Sequence, residues 1–300
     1  MGQVLTALRH AIRFAFGGDL SNHLFANLPV PTSDLTGRTF IITGSNTGIG
    51  FAAAVHLARL NPARLVLGVR DLKKGEAAKA RIIAETRFSS VIDVWDLDMA
   101  DFGSVKRFAE RAGTLERLDG ALLNAGMNGT TWQTTRDGWE RTLQVNALSQ
   151  GLLGILLLPL LHATATRPDA SPHLTFTGSA GRGRQASPIL TKKLRRSHRF
   201  DSVVEPGFCV SELMREHNFN GFVTFVHSRI GWSSAKGSLN LLYAALKPTP
   251  PGAYVSACKI RQPESWTSNK EGLELQKRVW NEMVEIWCCV APEVAAIVQI

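Results

Sequence analysis

Cysteine is scarce in this chain: four residues in 300, Cys209, Cys258, Cys288 and Cys289, all late and with no CxxC pair. That excludes a disulfide framework and reads as reduced cytosolic thiols. Two of the four are adjacent, which argues against a bridge between them. Long hydrophobic runs are also missing. The strongest, Leu152–Leu161, is too short for a bilayer span and contains Pro159, so it reads as a buried helix. No internal repeat and no low-complexity linker interrupts the chain. The basic run Lys192, Lys193, Arg195, Arg196, His198 and Arg199 has no aromatic stacking pattern or nucleic-acid motif beside it. It reads as a solvated loop, and no nucleic-acid partner is expected.

What is present is ordinary globular composition: 44% hydrophobic, 20% charged, with a net charge of +9. The length allows one large α/β domain or two small ones, and the positive balance suits a ligand carrying phosphate charges. Residues 4–16 space Val4, Leu5, Leu8, Ile12 and Ala15 as a helix with Arg9, His10 and Arg13 between them. This basic amphipathic helix fits either a membrane surface or packing against the domain. It lacks the apolar block of a signal peptide, while Met1, Gly2 and Thr6 fit a loose myristoylation pattern. Residues 1–34 are therefore read as an extension and 35–300 as a single domain. The expected location is the cytoplasm or the periphery of a membrane.

From Thr39 the chain alternates. Strands are expected at Thr39–Thr43, Arg64–Val69, Val91–Leu97, Gly120–Asn124 and His173–Thr177. Helices are expected at Phe51–Leu60, Leu72 to about Thr86, Phe102–Arg117 and roughly Gly138–Ala163. Strand following helix in this way predicts a Rossmann-type, doubly wound parallel sheet.

The first strand runs into Thr43, Gly44, Ser45, Asn46, Thr47, Gly48, Ile49 and Gly50, and then directly into a helix. Glycines there allow a tight turn and a close backbone approach to a pyrophosphate, which meets the positive end of the helix. The strand–turn–helix context is what makes a glycine cluster specific for a dinucleotide. An acid at the end of strand two would hold a ribose 2′-hydroxyl. The sequence instead has Val69 and Arg70, a guanidinium fork for a 2′-phosphate. A surface pair of Arg70 with Asp71 or Glu76 is the competing reading. NADP(H) is the expected cofactor.

The TGxxxGxG turn, Leu97-Asp98-Met99, Leu123-Asn124-Ala125-Gly126 and Val145-Asn146 follow one another in the order and spacing of the short-chain dehydrogenase/reductase family. The chain resembles that family from about Leu35 to its C-terminus, in a fungal, retinol-dehydrogenase-like branch. The resemblance implies that Asp98 contacts the adenine and that Asn124, Ala125 and Gly126 line the cofactor pocket. It also implies that Asn146 kinks the long helix and holds a water in the proton relay. Ser179, at the end of strand five, matches the serine that binds the substrate oxygen. Pro206 and Gly207, with Ser211, match the segment that closes over the nicotinamide and opens a substrate segment at about 207–300.

The family's proton donor is a tyrosine in YxxxK, one helical turn from its lysine. The chain has two tyrosines, Tyr243 and Tyr254. Tyr243 and Lys247 have the spacing, but Pro248, Pro250 and Pro251 end that helix at once. Trp232 and Lys236 share the spacing, and an indole cannot donate the proton required. The sequence passes from Phe200, Asp201 and Ser202 almost directly to Val203, Val204, Glu205 and Pro206. The expectation is a fold lacking the helix and most of the strand after strand five, about 30–40 residues by ordinary element lengths. Such a loss should leave apolar sheet surface bare, and with both flanks intact it points to a skipped exon or mispredicted intron.

Three functions follow. The first is an NADP-dependent alcohol dehydrogenase or ketoreductase on a lipophilic small molecule, in secondary-metabolite biosynthesis. The second is an NADP-binding protein without turnover. The third, suggested only by the amphipathic leader, is a membrane-associated lipid or retinoid-type enzyme. A homo-oligomer is doubtful, because the family's dimer helices include the missing one.

Overall fold

The computed structural model describes residues 26–178, 201–210, 213, 229, 231–262 and 265–298. The amphipathic segment 4–16, Ser179, Ser211 and the basic run at 192–199 lie outside them. Strands β1 (Thr39–Thr43), β2 (Arg64–Val69), β3 (Val91–Asp96), β4 (Gly120–Leu123), β5 (His173–Thr177), β6 (Asp201–Glu205), β7 (Ala253–Ser256) and β8 (Lys259–Arg261) form one sheet. Its order is β3-β2-β1-β4-β5-β6-β7-β8. The first seven are parallel and β8 closes the edge antiparallel. The order reverses beside β1, between β2 and β4, which is where such sheets open a crevice for a ligand.

The central strands are buried on both faces and read as continuous apolar runs, as parallel strands must. Alternate residues of β1 serve opposite cores. Ile41 packs with Val66, Ala121 and Leu123, while Phe40 and Ile42 pack with Leu65, Leu67 and Leu122. Helices α1 (Gly48–Arg59) and α2 (Leu72–Thr86) serve the second core. Helix α3 (Phe102–Ala112) serves the first. Asp71 caps α2 and Asp101 caps α3 through their side chains. A short helix Arg141–Leu143, a π turn Gln144–Leu148 and helix α4 (Ser149–Ala165) run on continuously. The span Arg141–Ala165 is apolar and long enough to cross a membrane, but 67% of its apolar window is buried inside the molecule. Leu152, Leu153, Leu157, Leu158 and Leu161 are core residues, as the run containing Pro159 predicts.

Helix α5 (Ser234–Leu246) lies against α1, and α6 (Lys270–Val290) with α7 (Val294–Ile297) joins the α3/α4 side. Two expectations are corrected here. The strand after β5 is complete: β6 pairs Leu174 with Asp201 and Val203 with Tyr254, so it is flanked on both sides. Adjacent β-branched residues facing opposite cores make it a central strand, which its short sequence alone concealed. Nor is the sheet bare at this point. Phe176 and Val203 are 5% and 3% exposed, in the apolar cluster that also contains Leu157, Trp280 and Trp287. The helix expected to be missing would fall in residues 179–200, outside the described residues.

Candidate cofactor site

The site begins with a threonine. The hydroxyl oxygen of Thr43, at the end of β1, accepts hydrogen bonds from the backbone N–H groups of Asn124 and Ala125, both at 2.9 Å. Asn124 returns a bond through Nδ2 to the Thr43 carbonyl at 3.2 Å. The ends of β1 and β4 are thereby held at fixed separation. Gly44 has φ +64° and sits so close to this junction that a Cβ would lie 2.9 Å from the Ala125 Cα. A Cβ on Gly50 would lie 2.5 Å from the Gly44 carbonyl oxygen. Gly48 also has positive φ, +60°. The turn therefore needs glycine at Gly44 and Gly50 for space, and it lies directly under the N-terminus of α1.

That N-terminus is open. Thr47, the residue before α1, is extended and makes no side-chain cap, so the first N–H groups of the helix point to the crevice. Ser45 is fully buried, and its hydroxyl has no partner among the described residues. Asn46 and Ile49 are half-buried on the same turn. A cradle that a Cβ would fill, an uncapped helix and an orphaned hydroxyl fit a bound dinucleotide phosphate.

Gly44 N–H bonds to Gly68 O at 2.8 Å and Leu97 N–H to Val69 O at 2.9 Å, which brings the ends of β2 and β3 beside the turn. Arg70 is exposed there and no ion pair holds it among the described residues. Neither competing pair, with Asp71 or with Glu76, is formed among the described residues, and Asp71 Oδ1 caps α2 at Lys74 N–H. Asp98 accepts from Ala100 N–H at 2.9 Å in a local turn, while Asp101 is the residue that caps α3.

On the other flank, Gln150 Nε2 donates to the Ala125 carbonyl at 2.5 Å. Asn146 occupies the middle of the π turn and is exposed. Its Oδ1 accepts from Met127 N–H at 2.9 Å and its Nδ2 donates to Met127 O at 2.7 Å. A Cβ on Gly126 would lie 3.3 Å from Asn146 Oδ1. The helix departs from regular α geometry over Gln144–Leu148, the turn that contains Asn146.

Pro206 and Gly207 follow β6 at the same end of the sheet. Gly207 has φ +84° and lies under the ring of Trp232, 2.7 Å from an added Cβ. Trp232 N–H and O bond to Phe208 O and Val210 N–H, both at 2.8 Å. Cys209 hydrogen-bonds to Pro206 O, and burial, with the Glu205 carboxylate nearby, pushes its thiol up to about 12. It is an inert packing group. Lys236 lies 4.7 Å over the Trp232 ring, so the WxxxK spacing reports a cation–π contact.

The structure thus gathers Gly44 to Gly50, Arg70, Asp98, Asn124 to Gly126, Asn146, Pro206 and Gly207 at the C-terminal ends of the parallel strands. It does not bring Tyr243 and Lys247 there. Helix α5 starts at the site, where Ser234 Oγ bonds Val210 O, and runs back antiparallel to the strands. Tyr243 lies more than two turns away, packed in the α1/α5 core, and Lys247 ends the helix. Tyr254 sits on β7 with its hydroxyl donated to Glu205 Oε2. Sequence reading passed over Thr43 and Gln150 as site builders. A glutamine one turn after Asn146 in an otherwise apolar helix was the available signal.

A family model for short chain dehydrogenases matches residues 38–166. The short chain dehydrogenase/reductase dmxR8 of Cryptosporiopsis sp. (strain 8999) is 33% identical to the chain, with 93% of this chain and 99% of that protein covered. The chain belongs to the short-chain dehydrogenase/reductase family. The short-chain dehydrogenase/reductase ffsI of Aspergillus flavipes is 31% identical over 85% of this chain and 87% of its own length. Among solved structures, the Pseudomonas aeruginosa RhlG/NADP active-site complex superposes with a TM-score of 0.57. It is 23% identical, covering 73% of this chain and 92% of that one, and shares the fold. The match to dmxR8 extends over 325 aligned positions, more than the 300 residues here, so some positions of that protein have no counterpart in this chain.

Proposed function

We propose that this short-chain dehydrogenase/reductase is an NADP-dependent alcohol dehydrogenase or ketoreductase acting on a lipophilic small-molecule carbonyl or alcohol in secondary-metabolite biosynthesis. The observation that carries the cofactor choice is Arg70, unpaired among the described residues at the end of β2, where no acid stands to hold a 2′-hydroxyl. RhlG, solved with NADP, supports the choice by likeness of fold, and the fungal origin of dmxR8 and ffsI supports the metabolic setting.

When bound, NADP(H) supplies or accepts a hydride at the nicotinamide. Gly44, Gly48 and Gly50 admit its pyrophosphate, and Ser45, Asn46, Thr47 and Ile49 complete the turn around it. The open N–H groups of α1 bind the phosphate oxygens. Arg70 binds the 2′-phosphate with its fork, and Asp98 meets the adenine. Asn124, Ala125 and Gly126 would line the cofactor pocket. Pro206 and Gly207 would close the opposite side, and by the family resemblance Ser211, outside the described residues, would belong to the same segment. By the family resemblance Ser179, outside the described residues, would hold the substrate oxygen, and Asn146 would hold a water of the proton relay.

A second reading has its own support. The alignment to dmxR8 runs over more positions than the chain contains, and neither tyrosine stands at the site with a lysine one turn on. On this reading the chain binds NADPH and does not turn over. Fluorescence titration with NADPH and NADH, followed by single-turnover assays on aliphatic and aromatic ketones, separates the two. NADPH binding with ketone-dependent oxidation supports the enzyme. Binding without oxidation leaves the second reading standing, and no binding removes both.

A further inference from the structure

We infer that Trp287 of helix α6, together with Gln144, is a positioning residue that clamps the π turn and thereby orients Asn146. The inference rests on Asn146 belonging to the site. A π turn carries one more residue than the α-helix around it and has poorer hydrogen-bond geometry, so it persists where its surroundings hold it. Here it is held at both ends. At the start, Gln144 is fully buried. Its Nε2 donates to Asp137 Oδ2 at 2.5 Å and its Oε1 accepts from the Thr135 hydroxyl. The same Asp137 oxygen accepts from Phe102 N–H at 2.9 Å, tying this end to the first turn of α3 and so to the loop that carries Asp98.

At the far end, the Leu148 carbonyl accepts from Trp287 Nε1 at 2.8 Å. Trp287 is fully buried, with Trp280 edge-on at 6.0 Å. The end of α6 is fixed independently, because Lys106 Nζ on α3 donates to Val290 O at 3.0 Å. Between these two anchors stands Asn146, the exposed residue of the turn, with its amide on both backbone groups of Met127. If the turn relaxed to regular α-helical register, residues before it would rotate by about 100° relative to those after, and Asn146 would leave Met127. The indole N–H is therefore placed to keep the asparagine facing the crevice, although Trp287 itself does not touch it.

The test is hydrogen exchange of the Met127 amide in the apo chain, read by mass spectrometry, for the wild type and four variants. Asn146→Ala removes the acceptor of that amide and gives the reference rise in rate. Trp287→Phe retains a ring and removes the donor, and Gln144→Leu releases the other end. Trp280→Phe alters the same aromatic pair without touching the π turn. The expected result is exchange about tenfold faster in Trp287→Phe and Gln144→Leu, the scale of one lost buried hydrogen bond, and a rate within about twofold of wild type in Trp280→Phe. Unchanged exchange in Trp287→Phe, an equal rise in Trp280→Phe, or no rise in Asn146→Ala would each overturn the inference. NADPH titration of the wild type runs alongside. Its failure would sink the proposed function and leave the exchange result standing.

Discussion

At the N-terminal edge of the sheet, Asp119 is 2% exposed and every contact it makes is filled. It accepts from Thr39 N–H at 2.9 Å and binds Arg117 through Nε at 2.8 Å and Nη2 at 2.5 Å, while Arg117 reaches on to Asp169. Its backbone joins Thr39 O and His173 N–H, so the starts of β1, β4 and β5 meet at one residue. At the C-terminal edge, the corresponding ends of β1 and β2 carry a buried hydroxyl on Ser45 without a partner, an uncapped helix and an arginine with no ion pair among the described residues. Around Asp119 the polar groups of one edge satisfy each other, although the buried His173 Nδ1 beside them has no partner among the described residues. The other edge holds its groups for a ligand. The same sheet thus separates stability from binding, because parallel strands put all their C-terminal ends on one side.

The comparison can be broken from the closed edge first. Asp119→Ala should destabilise the fold by about 3–5 kcal/mol, since it leaves a largely buried guanidinium with Asp169 alone and removes the acceptor of the buried Thr39 N–H. It should leave NADPH affinity of the folded protein unchanged. Urea unfolding and cofactor titration together check this, and a variant that binds poorly yet unfolds normally would contradict the division of labour.

The next effect is a pH dependence on the same edge. Burial, then the Arg38 charge, lowers the pKa of His173 to about 4 from 6.5. The unfolded chain therefore takes up the proton first. The stability held by neutral His173 is complete above pH 6.5 and is lost as the pH falls toward 4, amounting to about 3 kcal/mol. His173→Phe should flatten the unfolding free energy across that window, and an equally steep profile in the variant would assign the acid sensitivity elsewhere.

The open edge gives the smaller effects. Arg70→Ala should weaken NADPH binding by about 10- to 100-fold, the worth of a charge-assisted fork. NADH affinity and the unfolding midpoint should stay where they were. Equal loss for both cofactors would assign Arg70 a role other than the 2′-phosphate. The smallest expected change is Ser45→Ala. Removing a buried hydroxyl that lacks a partner should leave the apo protein as stable or more stable by up to about 1 kcal/mol, with NADPH binding weakened. A destabilised apo protein would mean that Ser45 is already satisfied within the fold.

Most of the fold was legible in the sequence because its signals are local. The alternation of apolar strands with helices predicted β1 to β5 and a doubly wound sheet, with helix α3 ending earlier than expected, at Ala112. Gly44 to Gly50, Arg70, Asp98 and Asn124 to Gly126 each lie at the end of a strand whose position the pattern already gave. The region after β5 was harder. Asp201–Glu205 looked like a remnant, and only pairing with β5 on one side and β7 on the other made it a full strand.

What the sequence by itself determined, then, is the doubly wound sheet and the composition of its cofactor turn, since periodicity, glycine conformation and capping act within a few residues. The tertiary structure decided the rest. Tyr243 and Lys247 have the spacing of a proton-donating pair, yet the antiparallel run of α5 carries them to the wrong edge. Trp287 reaches a carbonyl 139 residues away, and Asp119 joins three strand starts brought together only by the sheet. Contacts of that span leave no periodic trace in the chain, because they exist only after the layers have packed.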